Sequence, residues 1–182
     1  PCWCDPSPRD AIMMLDLFSD GEPDAVWTTD LNGNGEANMV VTLGDLELSV
    51  AQPGASTVGS VGTGALVWQA GPALASCLMS SGGGSLSDQI VNGRSIEFGC
   101  GCSALPGVAL ALLGAKEVVV SDSAAVLSEL QPNLESYFAA WQSDSNRRCS
   151  DLREQLSARP IGWDEAASLA QLASHPQGCS LV

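Results

Sequence analysis

Between Ser95 and Asp122 the chain runs through an apolar strand, a glycine turn, an apolar helix and a second apolar strand, and no other stretch limits the fold so tightly. Residues 91–98 are strand-like and enter the turn Gly99-Cys100-Gly101-Cys102-Ser103. Apolar residues at helical spacing follow over 105–113 up to Gly114, a favourable helix end, and 117–121 is a second strand ending on Asp122. Strand, helix and strand in this order make a right-handed parallel βαβ unit. Gly99 and Gly101 let a ligand approach the backbone where a Cβ would stand in the way. Asp122, at the carboxyl end of the second strand, is placed to accept hydrogen bonds from ribose hydroxyls. The pattern predicts an α/β domain, a three-layer sandwich with a mainly parallel Rossmann-like sheet, that binds a nucleoside-containing cofactor.

Two cofactors compete for that turn. Gly99-x-Gly101-x-x-Ala104 with an acidic residue about 20 positions on satisfies the looser dinucleotide fingerprint, so a NAD(P)-dependent oxidoreductase is one reading. Glu97 separates the two readings. A carboxylate two residues before the first glycine, inside an apolar strand end, is costly to bury unless it is hydrogen-bonded, and dinucleotide turns are usually preceded by apolar residues.

Glu97-x-Gly99-x-Gly101 resembles motif I of the class I S-adenosylmethionine-dependent methyltransferases. The resemblance widens with Gly64-Ala65-Leu66-Val67-Trp68-Gln69-Ala70, Leu105-Pro106-Gly107, 118–122 and Gly162-Trp163, which follow the order seen in the protein-lysine methyltransferase-like family of seven-strand enzymes. It spans residues 40–182 and draws its specificity from the whole ordered set. It implies S-adenosyl-L-methionine as cofactor and a protein side chain, lysine first, as methyl acceptor. Trp68 and Trp163 would line the adenosyl pocket, Gly99, Cys100 and Gly101 would pass beneath the cofactor, Asp122 would hold the ribose, and Glu97 would belong to the methionine end.

This chain departs from the family pattern in several places. Gln69 replaces the usual Asp, Ser103 stands where a third glycine is common, and one extra residue separates Gly101 from Pro106, so the turn is expected to be reshaped. The family's acidic-x-x-aromatic motif follows its fourth strand. Cys179-Ser180-Leu181-Val182 reads as the start of that strand, so the chain is expected to be a C-terminally truncated fragment, with acceptor-site residues beyond Val182 and weak turnover.

Composition narrows the partners. A net charge of −14 with Lys116 as the single lysine argues against nucleic acid, since phosphate contacts need clustered basic residues. No run of 18 apolar residues suggests a membrane span, and the start lacks a signal-peptide pattern. Seven scattered cysteines read as reduced thiols of a cytoplasmic or nuclear protein. Neither Cys2-x-Cys4 nor Cys100-x-Cys102 has the spacing of common zinc sites, and no metal is expected. His175, the one histidine, reads as a turn residue in Ser174-His175-Pro176.

Residues 1–38 form an acidic extension, and 39–182 the N-terminal half of a methyltransferase domain. Asp30-x-Asn32-x-Asn34-Gly35 imitates the start of a calcium loop, which leaves a non-enzymatic calcium-binding or interaction module as a further alternative, but Val41 occupies the twelfth position. An Asx-rich turn between strands is the simpler reading. Residues 39–43 and 46–50 form a hairpin around Gly44-Asp45, 51–63 a loop, 70–79 a helix, and the helix after Asp122 is expected to bend or restart at Pro132. A helix over 151–157, a strand over 158–163 and a helix over 165–173 complete the pattern.

Overall fold

The computed structural model describes residues 27–31, 37–53, 55–80, 87–91, 93–143, 152–161 and 180–181. Two sheets flank a layer of helices. The first is antiparallel, β1 (Trp27–Leu31), β2 (Ala37–Leu43) and β3 (Leu46–Ala51), in that order. Strict alternation along β3 buries Leu46, Leu48 and Val50 while exposing Glu47, Ser49 and Ala51, so one face of this sheet is apolar and the other wet. Gly44 takes the positive φ of 61° that the two-residue hairpin turn requires. The expected hairpin therefore carries a third strand, β1, which lies within the acidic first 38 residues.

Beyond β3, the segment expected as loop is largely helical: α1 (Ala55–Val61) leads into a 3-10 turn at Thr63–Ala65. Ser and Gly alone do not prevent a short helix, and Ser60 Oγ donates back to Thr57 O at 3.0 Å, within the helix. The helices α2 (Ala70–Ser80) and α3 (Ser87–Ile90) precede the second sheet.

The second sheet is parallel throughout, β4 (Arg94–Phe98), β5 (Glu117–Asp122), β6 (Leu156–Pro160) and β7 (Ser180–Leu181), with spatial order β6-β5-β4-β7. Ile96 pairs with Val119 across β4 and β5, and Ser95 and Ile96 pair with Ser180 and Leu181 of β7. The strand expected from Cys179 onward thus lies beside β4. Arg94 Nε lies 3.2 Å from Glu117 Oε1, fastening the leading ends of β4 and β5.

Between the sheets run α2, α4 (Leu105–Leu112) and α5 (Ala124–Ser143). Residues 105–111 are all buried, since α4 has the parallel sheet on one side and α2 on another. On α5 the apolar side carries Val126, Leu130, Leu134, Tyr137, Phe138 and Trp141 at helical spacing. That face meets β3 of one sheet and β5 and β6 of the other. The expected break at Pro132 does not occur: α5 continues as one helix through it. Pro132 and Ser128, whose carbonyl loses its amide partner, are both on the exposed side where water can replace that bond. A short α6 (Leu152–Gln155) packs near the end of α5 and leads into β6.

The residues of β4 and β5 that point toward α4 are Glu97, Val118 and Val120, which crowd around Gly107. Ile96, Phe98, Val119 and Ile161 form a separate apolar group on the other face.

Candidate cofactor-binding site

The glycine turn lies at the carboxyl end of the parallel sheet, between β4 and α4, where ligands bind in open α/β folds. Its shape is set mainly by the end of β5. Ser121 O accepts from both Gly99 N (2.8 Å) and Cys100 N (3.0 Å), and Asp122 Oδ2 accepts from Gly101 N at 3.0 Å. Gly99 and Gly101 have φ of 69° and 60°, so both sit in the left-handed region that L side chains avoid. A Cβ on Gly101 would lie 3.3 Å from Gly64 O, which adds a steric reason for glycine there. Gly99 is exposed and presents bare backbone to solvent.

The segment that carries Trp68 is docked on this turn. Cys102 N donates to Gly64 O and Cys102 Sγ to Ala65 O, both at 3.0 Å. Trp68 itself is 61% exposed, with its indole Nε1 donating to Thr63 O at 3.0 Å. Its exposed ring is available for stacking on a flat ligand.

Asp122 is half-buried. Its Oδ1 accepts from Ser123 N at 2.7 Å, and with the Gly101 bond this uses about two of the roughly four acceptor positions of a carboxylate. Glu97, by contrast, is buried and faces α4, where Oε2 accepts from Gly107 N at 2.7 Å. Burial pushes its carboxyl from the ordinary 4.5 up to about 8; the Gly107 bond opposes this and the charge of Asp122 adds to it. Cys100 and Cys102 are buried free thiols, and burial raises both, Cys102 to about 11. Neither is a nucleophile at neutral pH.

Of the residues singled out in the sequence, the structure brings Gly99, Cys100, Gly101 and Asp122 into one hydrogen-bonded unit, docks the Trp68 segment against it, and sets Glu97 beneath it. Trp163 and His175 lie outside the described residues, as does the middle of the Asp30–Asn38 stretch, whose two ends pair as Asp30 with Asn38 between β1 and β2. Among the described residues, no three of His, Cys, Asp and Glu gather as a metal site would require.

Four further residues shape the turn and carried weaker signals. Ser121, besides its carbonyl, donates through Oγ to Glu97 O at 3.1 Å. Asn133 Nδ2 donates to Cys102 O at 2.7 Å, and Tyr137 Oη to Ser103 O at 3.1 Å. An asparagine on the apolar stripe of α5 is a local hint of a buried polar contact, but it does not name the partners. Ala104 has φ of 46°, the one non-glycine residue in the described chain with positive φ.

Comparison with known proteins adds one finding: the family model described as lysine methyltransferase matches residues 47–170, well over half of the 182 residues. The matched stretch begins within β3 and contains the turn, Trp68, Asp122 and β6. No curated protein matches the chain.

Proposed function

The chain belongs to the lysine methyltransferase family, and on that premise we propose that it methylates the side-chain amine of a lysine in a protein substrate. It is a methyltransferase that draws on S-adenosylmethionine. The observation that carries the cofactor placement is the closed unit of Gly99, Gly101 and Asp122 beside the exposed Trp68.

The residues present fit the group. Asp122 retains acceptor capacity for a pair of ribose hydroxyls after its two main-chain bonds. The exposed backbone at Gly99 admits the cofactor closely. Trp68 offers a ring face for the adenine, and Trp163, by its place in the family pattern, would supply a second wall. Glu97 would act on the methionine end through its charge state, from beneath the turn.

Bound S-adenosylmethionine supplies a methyl group on a sulfonium that carries its own leaving group. The protein therefore needs no nucleophile of its own, in keeping with the inert thiols of Cys100 and Cys102. Its work is binding and orientation. Asp122 would hold the ribose, the glycine turn would carry the cofactor along its exposed backbone, and Trp68 would cover one side of the adenine. A lysine acceptor must arrive with its nitrogen unprotonated. The acidity of the chain, −14 overall, favours encounter with basic protein segments.

Two measurements test this reading. Calorimetry with S-adenosylmethionine and NAD in parallel should give binding of the first alone; NAD binding without it would overturn the cofactor assignment. Incubation with labelled donor and cell lysate, followed by hydrolysis of the protein fraction, should place the label on methylated lysine. Label recovered on another amino acid, or only in small molecules, would refute the acceptor.

A further inference from the structure

The far end of the glycine turn is held by α5. Tyr137 Oη donates to Ser103 O at 3.1 Å, and Asn133 Nδ2 donates to Cys102 O at 2.7 Å. The same Asn133 makes a two-way pair with the end of β3: Ala51 N donates to Oδ1 at 2.8 Å, and Nδ2 donates to Ala51 O at 3.0 Å. Both Nδ2 hydrogens and the acceptor are thus in use, on a side chain only 2% exposed. A buried amide committed in every direction has one orientation available, and it transmits any shift of one partner to the others.

The next residue in the turn, Ala104, has φ of 46°. An L-residue keeps that conformation only where its surroundings over-determine it. Here the two preceding carbonyls are fixed from α5, and Ala104 N bonds back to Cys100 O at 3.0 Å. Strain held in place beside a ligand-binding turn is a mark of preorganisation.

We propose that Asn133 and Tyr137 are positioning residues for the cofactor: they lock the Cys102–Ala104 end of the turn so that Gly99, Gly101 and Asp122 are presented in binding geometry, and Asn133 ties that geometry to the antiparallel sheet through Ala51. Neither side chain needs to touch the cofactor. The inference rests on the reading of this turn as the S-adenosylmethionine seat. The alternative is that the two residues only satisfy buried polar groups and support the fold.

Stability alone does not distinguish these, so the test compares affinity with stability. S-adenosylmethionine binding by calorimetry and melting temperature are measured for the parent, Tyr137→Phe, Asn133→Asp, Asp122→Asn and Leu43→Ala. Leu43 is fully buried beside the β2–β3 hairpin turn, at the opposite end of that ladder from Ala51, and serves as a destabilised control. Tyr137→Phe removes a single hydroxyl and should weaken binding roughly three- to tenfold, the effect of one lost hydrogen bond. Asn133→Asp should weaken it further, because a carboxylate cannot donate to Cys102 O and Ala51 O. In both, the Gly101 and Cys102 amides should exchange hydrogen faster than in the parent. Leu43→Ala should lower the melting temperature at least as much as Tyr137→Phe and leave the affinity within about twofold.

If Tyr137→Phe lowers the melting temperature while its affinity stays with that of Leu43→Ala, the positioning role is wrong and the residues are structural. Should Asn133→Asp not fold, Tyr137→Phe decides alone. Asp122→Asn separates the two levels: weakened binding there with none in Tyr137→Phe overturns this inference and leaves the site standing. A parent that does not bind S-adenosylmethionine removes both.

Discussion

Glu97 and Gly107 stand on opposite sides of the glycine turn, and the Gly107 amide donates to Glu97 Oε2 at 2.7 Å from within the first turn of α4. The bond joins the strand that enters the turn to the helix that leaves it. It also places an acidic side chain at a helix N-terminus, where the macrodipole favours negative charge. Burial outweighs that preference and carries the carboxyl to about 8.

A pH dependence of stability follows. The folded protein holds a proton on Glu97 that the unfolded chain releases above about 4.5. Between about 4.5 and 8 the native state therefore binds more protons than the unfolded state, and stability falls as pH rises. The contribution is complete below the unfolded value and gone above the folded one. Urea unfolding of the parent and Glu97→Gln across this window should show a smaller decline in the variant; parallel curves would show that Glu97 ionises freely in the native state.

Cofactor binding should release a proton near neutral pH. The cationic groups of S-adenosylmethionine, if seated above Glu97, favour its ionised form and draw its carboxyl down from about 8. Calorimetry at pH 7.5 in buffers of differing ionisation enthalpy would read this directly. Glu97→Gln should abolish the buffer dependence, and a parent without any would place the cofactor's charge away from Glu97.

Close packing at Gly107 gives a third expectation. A Cβ there would run into Val120 Cγ1 and lie 2.7 Å from Glu97 Oε2, too near for either to remain in place. Gly107→Ala should cost about 1–3 kcal/mol, the usual penalty of overpacking. A variant as stable as the parent in denaturant would mean that α4 can lift from the sheet without loss.

The sequence disclosed what is local and periodic. Residues 91–98 and 117–121 declared themselves as apolar runs around a helix; of the first run, Arg94–Phe98 forms β4 and pairs in parallel with β5, while Val91 lies in an exposed turn before it. Asp122 was legible because a strand end, a glycine turn and a carboxylate at fixed spacing constrain one another. The role of Asn133 was not, since its partners Ala51 and Cys102 lie 82 and 31 residues away and only the packed fold brings them together. The helix over Ala55–Val61 was missed because Ser, Thr and Gly weaken its local signal. Continuity through Pro132 depends on which side of α5 faces water, a fact of packing rather than of local sequence.

Asp122 and Gly99 test the site itself. Asp122→Ala removes the acceptor for Gly101 N and for the ribose, and should weaken cofactor binding by roughly 1–3 kcal/mol. Gly99→Val should be worse, because a β-branched residue cannot adopt φ of 69° without strain and its side chain would enter the open face of the turn. Parent-like affinity in both variants would move the site elsewhere.

Ala104 explains how the turn closes without the third glycine common at Ser103. Counting back from Leu105-Pro106-Gly107, Ala104 holds the place directly before the helix, and it carries the left-handed φ of 46°. The left-handed position of this turn before the helix therefore falls on a residue with a Cβ. Three effects then meet in Ala104→Gly. Relief of the left-handed cost gains about 1–2 kcal/mol, added chain freedom in the unfolded state loses about 0.5–1 kcal/mol, and loss of a fully buried methyl forfeits about 0.8 kcal/mol. The net is close to zero. Ser103→Gly gains no such relief, because Ser103 has no positive φ, and it bears the entropic cost together with the loss of a buried side chain. Urea unfolding should therefore find Ala104→Gly the milder change by about 1 kcal/mol or more, although both add a glycine to the same turn. The opposite order would show that Ala104 is unstrained and that the turn closes at Ser103.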